Sequence, residues 1–159
     1  MKTTERTNVI KIAALDSRSL RACHRIAADI FGQDTSENLA IRDFSSSSQS
    51  GYTARLNGRI VGFALCTGQN PDEVEIQAFA VEKEYRRNGI GRILLDKVVR
   101  LSRRKVIVRV DDRALDAHLF LRDHGFRAVQ IERGTFNDRY VFEGGSVPEM
   151  EYAVECHSP

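Results

Sequence analysis

The dipeptide Asn57-Gly58 limits the topology of this chain more than any other short segment. Runs rich in apolar residues flank it on both sides, Tyr52–Leu56 and Arg59–Thr67. A two-residue loop of this kind suits a type I′ turn, because both central residues need positive φ. The two runs are therefore antiparallel neighbours. Gly68–Asp72 (GQNPD) predicts a second turn, and Glu73–Val81 a third strand. Along that strand Val74, Ile76, Ala78 and Ala80 alternate with Glu73, Glu75, Gln77 and Phe79, which puts the first set on one face. A three-stranded meander results, and the remaining elements must pack on it.

Before the meander, Val9–Leu15 reads as a strand. Asp16 and Ser17 are candidate N-caps. Leu20, Cys23, His24, Ala27 and Ile30 or Phe31 then recur at helical spacing as far as Gly32. Ser36–Phe44 suggests a short second helix. Ser45–Gly51 (SSSSQSG) reads as a loop, either a surface linker or a mobile edge of a binding site. After the meander, Gly89–Arg103 carries Ile90, Ile93, Leu94, Val98 and Leu101 on one helical stripe. Lys105–Val110 is a β-branched strand, and Ala114–His124 a helix closed by Gly125. Phe126–Ile131 and Met150–Glu155 read as two last strands, separated by a long polar excursion over Arg133–Val147. This order describes one mixed α/β domain over residues 1–159.

Composition narrows the function classes. With 42% hydrophobic residues in 159, the chain can build one core without disulfides or structural metals. A net charge of +2 gives no global argument for a nucleic-acid or membrane partner. No RNP, helix-turn-helix or finger pattern is present, which argues against a nucleic-acid module. No stretch approaches the length of a membrane span and the N-terminus lacks a signal-peptide pattern, so the expectation is a cytoplasmic protein. Cys23, Cys66 and Cys156 show no C-x-x-C spacing, and His24, His118, His124 and His157 form no metal-binding pair. No metal is expected.

The local chemistry centres on Val81–Arg92. A strand ends, a basic turn follows, and a helix begins near Gly89. The first N–H groups of a helix lack intrahelical partners and carry part of the dipole's positive end, so such a terminus binds anions. Gly89 and Gly91 keep side chains out of the way, and Arg86, Arg87 and Arg92 add charge-assisted donors. A pyrophosphate fits this description. The dinucleotide fingerprint G-x-G-x-x-G and the Walker G-K-[ST] are both absent, and a meander strand precedes the turn, unlike a Rossmann unit. Eight basic residues against the single acid Asp96 lie between Tyr85 and Lys105. They read as a solvated helix face, or as a basic rim for a further phosphate or for an acidic or RNA-containing partner such as a ribosome.

Phe79–Leu95 (FAVEKEYRRNGIGRILL) resembles the acetyl-CoA motif [QR]-x-x-G-x-[GA] of the GCN5-related N-acetyltransferases, with Arg86, Gly89 and Gly91 at its fixed positions. Ala114–Phe126 is similar to the family's second motif, through Ala117, Phe120, Gly125 and Phe126. Within the family the sequence looks closest to the ribosomal-protein-alanine N-acetyltransferase branch. The resemblance implies a mixed, mostly antiparallel sheet of six to seven strands with about four helices, and a bulge that splays Glu75–Val81 from Lys105–Val110. It implies acetyl-CoA as co-substrate and an amine as acceptor, on a protein N-terminus or a small molecule. Phe79, Ala80, Val81, Arg86, Arg87, Asn88, Gly89, Ile90, Gly91, Arg92, Ala117 and Phe120 would contact the cofactor. A homodimer is left open.

Two departures bear on catalysis. An attacking amine must be neutral, yet a lysine has a pKa near ~10.4 and a chain N-terminus near ~8, so a general base helps. The second-motif Tyr that serves many members as acid falls at Leu121, and the Glu of the N-terminal branch falls at Arg109. Glu75 is the substitute base by its place on the cleft strand, and Tyr140 a candidate acid. Asp111 and Asp112 follow the facing strand, as further bases or as caps of the next helix. The competing reading is a CoA-binding sensor or scaffold without turnover.

Overall fold

The expected meander forms the centre of a seven-stranded sheet. The computed structural model describes residues 9–33, 35–44 and 49–145. Their order is β1 (Ile10–Ala14), α1 (Leu20–Phe31), α2 (Ser36–Arg42), β2 (Gln49–Leu56), β3 (Arg59–Asn70) and β4 (Glu73–Val81). A 3-10 turn (Lys83–Tyr85), α3 (Ile90–Ser102), β5 (Lys105–Asp111), α4 (Leu115–Asp123), β6 (Arg127–Glu132) and β7 (Arg139–Gly144) follow. The sheet order is β1-β2-β3-β4-β5-β7-β6, with β4 and β5 parallel and the other pairs antiparallel. Asn57 and Gly58 have φ of 52° and 85°, both positive as the type I′ turn requires.

Neighbouring residues of β3 enter different cores, so both faces of the sheet are covered. Phe63 and Leu65 pack with Cys23, Ile26 and Ala27 of α1 and Ile41 of α2. Ala64 and Cys66 pack with Leu95 and Val98 of α3 and Leu121 of α4. Ile90 and Leu94 of α3 close on Ala54, Val61 and Val81. The apolar stripe of α3 is what places its N-terminus beside the end of β4.

Four local expectations are corrected. The N-cap of α1 is Ser19, while Asp16 Oδ1 accepts the Ser19 N–H at 3.0 Å and Ser19 Oγ accepts the Asp16 N–H at 3.0 Å. Ser17 takes no part in these bonds. Gln49–Gly51, read as loop, belongs to β2, where a Cβ on Gly51 would meet Ala64 O at 2.4 Å. β3 runs on to Asn70 and absorbs most of the expected GQNPD turn. The excursion Arg133–Val147 contains β7, inserted between β5 and β6. Its Val141 and Phe142 are buried, and that apolar pair is too short to stand out among charged neighbours. The expected strand Met150–Glu155 lies outside the described residues.

The alternation in β4 is also reinterpreted. Leu65 pairs with Ala78 and Cys66 with Ile76, so Gln77 is an extra residue, a β-bulge. Val74 and Ile76 face α3 and α4, whereas Ala78 and Ala80 face α1 and α2. The alternation continues past the bulge, but the faces exchange, and Phe79 turns toward α3 and α4.

Leu94 is fully buried where α3 meets the meander. Leu94→Ala should lower stability by about 2–5 kcal/mol, read as a fall in the denaturant midpoint. An unchanged midpoint would mean that α3 is not anchored through this residue.

Candidate active site

β4 pairs with β5 only from Glu73–Lys105 to Ile76–Val108. Beyond that point β5 continues along β7, and β4 continues along β3. From Gln77 to Val81 the second edge of β4 therefore has no strand partner among the described residues. The bulge at Gln77 sits where the parallel pairing stops, as expected of a feature that bends and twists its strand.

The orientation of the unpaired edge follows from one bond. Glu82 N–H donates to Val61 O at 2.8 Å, on the β3 side. In an extended chain the backbone groups of successive residues point to alternate sides. The N–H and C=O of Val81 and Phe79 therefore face away from β3, into the gap. Arg86 agrees with this, because its Nε donates to Val81 O at 3.2 Å.

The chain then crosses the mouth of the gap. Tyr85 N–H closes the 3-10 turn on Glu82 O at 2.9 Å, and Asn88 Nδ2 donates to Tyr85 O at 3.3 Å. Arg87 and Gly89 have φ of 70° and 76°. The left-handed conformation is strained for a side-chain-bearing residue and natural for glycine. Gly89 is the N-cap of α3, and its C=O accepts the first α3 bond, from Ile93 N–H at 3.0 Å. The N–H groups of Ile90, Gly91 and Arg92 precede that bond and carry the positive end of the helix dipole. Arg86, Arg87 and Arg92 are exposed around them.

Aromatic packing shapes the wall beside this terminus. A Cβ added at Gly91 would lie 3.4 Å from the Phe120 ring and 3.8 Å from Phe79. Phe79 and Phe120 stand 5.7 Å apart by ring centroids, and Phe120 packs on His124 at 4.3 Å. Ala117 is half-buried one helical turn before Phe120. The structure thus brings Phe79, Gly91 and Phe120 together at one end of the gap.

Glu75 and Tyr140 do not meet. Glu75 precedes the bulge and faces away from α3 and α4, where Arg109 Nη1 donates to its Oε1 at 2.6 Å. Arg109 Nε also bonds Glu132 at 3.0 Å, and Arg139 reaches Glu132 at 3.4 Å. The carboxylates of Glu75 and then Glu132 raise the Arg109 guanidinium above its ordinary value. Tyr140 is on β7 rather than on a mobile excursion. It packs on the α3/α4 side with its ring 5.1 Å from His118. His118 Nε2 bonds Asp111 O at 2.9 Å.

Asp111 and Asp112 do not cap α4. Ala114 is the N-cap, and Asp111 Oδ1 accepts the Arg113 N–H at 2.9 Å, which holds its carboxyl below the usual range. Glu132 was missed in the sequence. It reaches Arg109 across strands, and no local spacing records that contact. Among the described residues no group of three or more His, Cys, Asp or Glu could hold a metal ion.

Comparison with known proteins agrees with this geometry. The sequence model of the acetyltransferase (GNAT) family matches residues 18–126. No curated protein matches. The fold is similar to that of the ribosomal-protein-S18-alanine N-acetyltransferase from Escherichia coli, with TM-score 0.74 and 20% identity over 85% of this chain and 92% of that one. NAA60 from Arabidopsis thaliana in complex with acetyl-CoA gives 0.71 and 19%, over 86% and 98%. A GNAT family acetyltransferase from Elizabethkingia anophelis with acetyl-CoA bound gives 0.71 and 17%, over 84% and 96%. With the family model covering most of the chain, and a β4 edge opening beside a helix terminus, this protein belongs to the acetyltransferase (GNAT) family.

Proposed function

We propose that the chain transfers the acetyl group of acetyl-CoA to a primary amine by direct attack on the thioester. The unpaired edge of β4 beside the α3 N-terminus carries this reading. A pyrophosphate would rest on the N–H groups of Ile90, Gly91 and Arg92, with Arg87 and Asn88 at its rim. The pantetheine would pair with the backbone of Phe79–Val81 as an added strand does, and Ala117 and Phe120 would flank it. One N–H at this edge would polarise the thioester carbonyl, a contact whose loss typically costs ~3 kcal/mol.

The two faces of the sheet suit two roles. With CoA on the α3/α4 side, an amine must approach the thioester from the opposite side, where Glu75 lies. Glu75 would take the amine's proton, with Arg109 holding it in place. Tyr140, on the cofactor side, is the phenol available to the departing thiolate, since Leu121 is apolar and buried. Burial pushes the thiols of Cys23 and Cys66 up to about 12, so neither forms an acyl-enzyme. Similarity to an N-terminal alanine acetyltransferase supports a protein N-terminus as acceptor. A CoA-binding protein without turnover is the second reading, favoured by Leu121 and by the ion pair that already occupies Glu75.

Gly91→Val should raise the calorimetric Kd for acetyl-CoA at least tenfold, because its methyl groups crowd Phe120. Absence of acetyl-CoA binding by the unmodified protein would overturn both readings. Glu75→Gln should lower kcat/KM for the amine by about 10²–10⁴-fold and leave acetyl-CoA binding unchanged. If the unmodified protein binds acetyl-CoA but releases no thiol with any peptide or small amine, the binding-only reading stands. Peptide mapping after iodoacetamide treatment at pH 8 should find Cys23 and Cys66 unmodified in the folded protein. Their rapid alkylation would reopen a covalent route.

A further inference from the structure

On the face opposite α3, α1 and the β2–β3 hairpin enclose an open shelf of about 530 Å³ lined by Ala22, Arg25, Arg55, Gly58, Arg59 and Ile60. Arg25, Arg55 and Arg59 line it from three separate elements, α1, β2 and β3. Among the described residues one carboxylate pairs with them, Glu82, which takes Arg25 at 2.8 Å and Arg59 at 3.4 Å on the same oxygen. Arg55 has no ion pair among the described residues. Lys11 stands directly opposite Arg55 in the β1–β2 ladder, an arrangement of like charges that weakens a sheet unless something neutralises it.

We propose that this shelf binds a phosphate monoester. Arg25, Arg55, Arg59 and the neighbouring Lys11 outnumber Glu82, and this positive excess suits the roughly −1.5 to −2 of a phosphate monoester near neutral pH. Guanidinium forks make paired hydrogen bonds to such an anion. Glu82 need not leave, because it fixes Arg25 and Arg59 through one oxygen and their other N–H donors remain available. Ala22 and Ile60 form an apolar floor, and both pack with the α1/α2 core. A small apolar body attached to the phosphate would lie on that floor. The shelf is separate from the α3 terminus, since its floor belongs to the other face of the sheet.

The test follows the side-chain Nε–Hε resonances of Arg25, Arg55 and Arg59 by NMR while phenyl phosphate is titrated into the full-length protein. Arg87→Gln protein serves as a parallel sample in which the α3 loop is weakened. Saturable shifts of these three resonances are expected in both proteins. A double variant, Arg55→Gln with Arg59→Gln, should bind at least tenfold more weakly by calorimetry. Neither Arg55 nor Arg59 is buried, and a cooperative thermal transition confirms that the variant is folded. Shifts confined to Arg86, Arg87 and Arg92, or equal affinity of the double variant and the unmodified protein, would overturn the site.

Discussion

One extra residue in β4, Gln77, controls how this sheet can be used. A regular strand would keep Val74, Ile76, Ala78 and Ala80 on one face and could continue alongside β5. The bulge exchanges the faces at Ala78 and coincides with the end of the β4–β5 pairing. It leaves backbone N–H and C=O groups of Phe79 and Val81 facing a gap. Backbone polar groups need partners, from protein, water or ligand. Only Val81 O has a side-chain partner described, Arg86. The remaining groups offer a ligand an edge to pair with in the middle of a sheet, where both flanks are rigid.

The α3 terminus lies beside this gap, and the core fixes that adjacency. Leu94 and Ile90 bury against Val61 and Val81, so the first turn of α3 cannot drift from the end of β4. Glycine suits two positions here for different reasons. Gly89 accommodates a left-handed φ of 76°, and Gly91 leaves room next to Phe120. Helix dipole, free N–H groups and exposed arginines then add in the same direction, toward an anion.

Much of this was legible in the sequence because it is local. Asn57-Gly58 fixed the hairpin, and the spacing of Ile90, Leu94 and Val98 fixed α3, whereas Ile93 and Leu101 of the same stripe are exposed. What was hidden depends on pairing. Period-two alternation in β4 looks the same on either side of a bulge when both faces are covered, so the face exchange left no mark. β7 was obscured because Val141 and Phe142 are its only buried residues, and a pair of apolar positions has no measurable period. Glu132 joins Arg109 only after β6 and β7 fold back beside β5, so spacing along the chain could not associate them.

That association changes the view of Glu75. Glu75, Arg109, Glu132 and Arg139 form a continuous ionic chain across β4, β5, β6 and β7. The Glu75–Arg109 link spans the two strands just before their pairing ends, and so ties the gap at its closed end. It is more shielded than a surface pair, with Glu75 side-chain exposure at 15%, and removing one partner would strand a charge with little solvent. Arg109 also bonds Glu132, so the guanidinium that holds Glu75 is shared with a second carboxylate. The ionic chain thus ties the Glu75 side chain on β4 to the β6–β7 hairpin at the sheet's far edge.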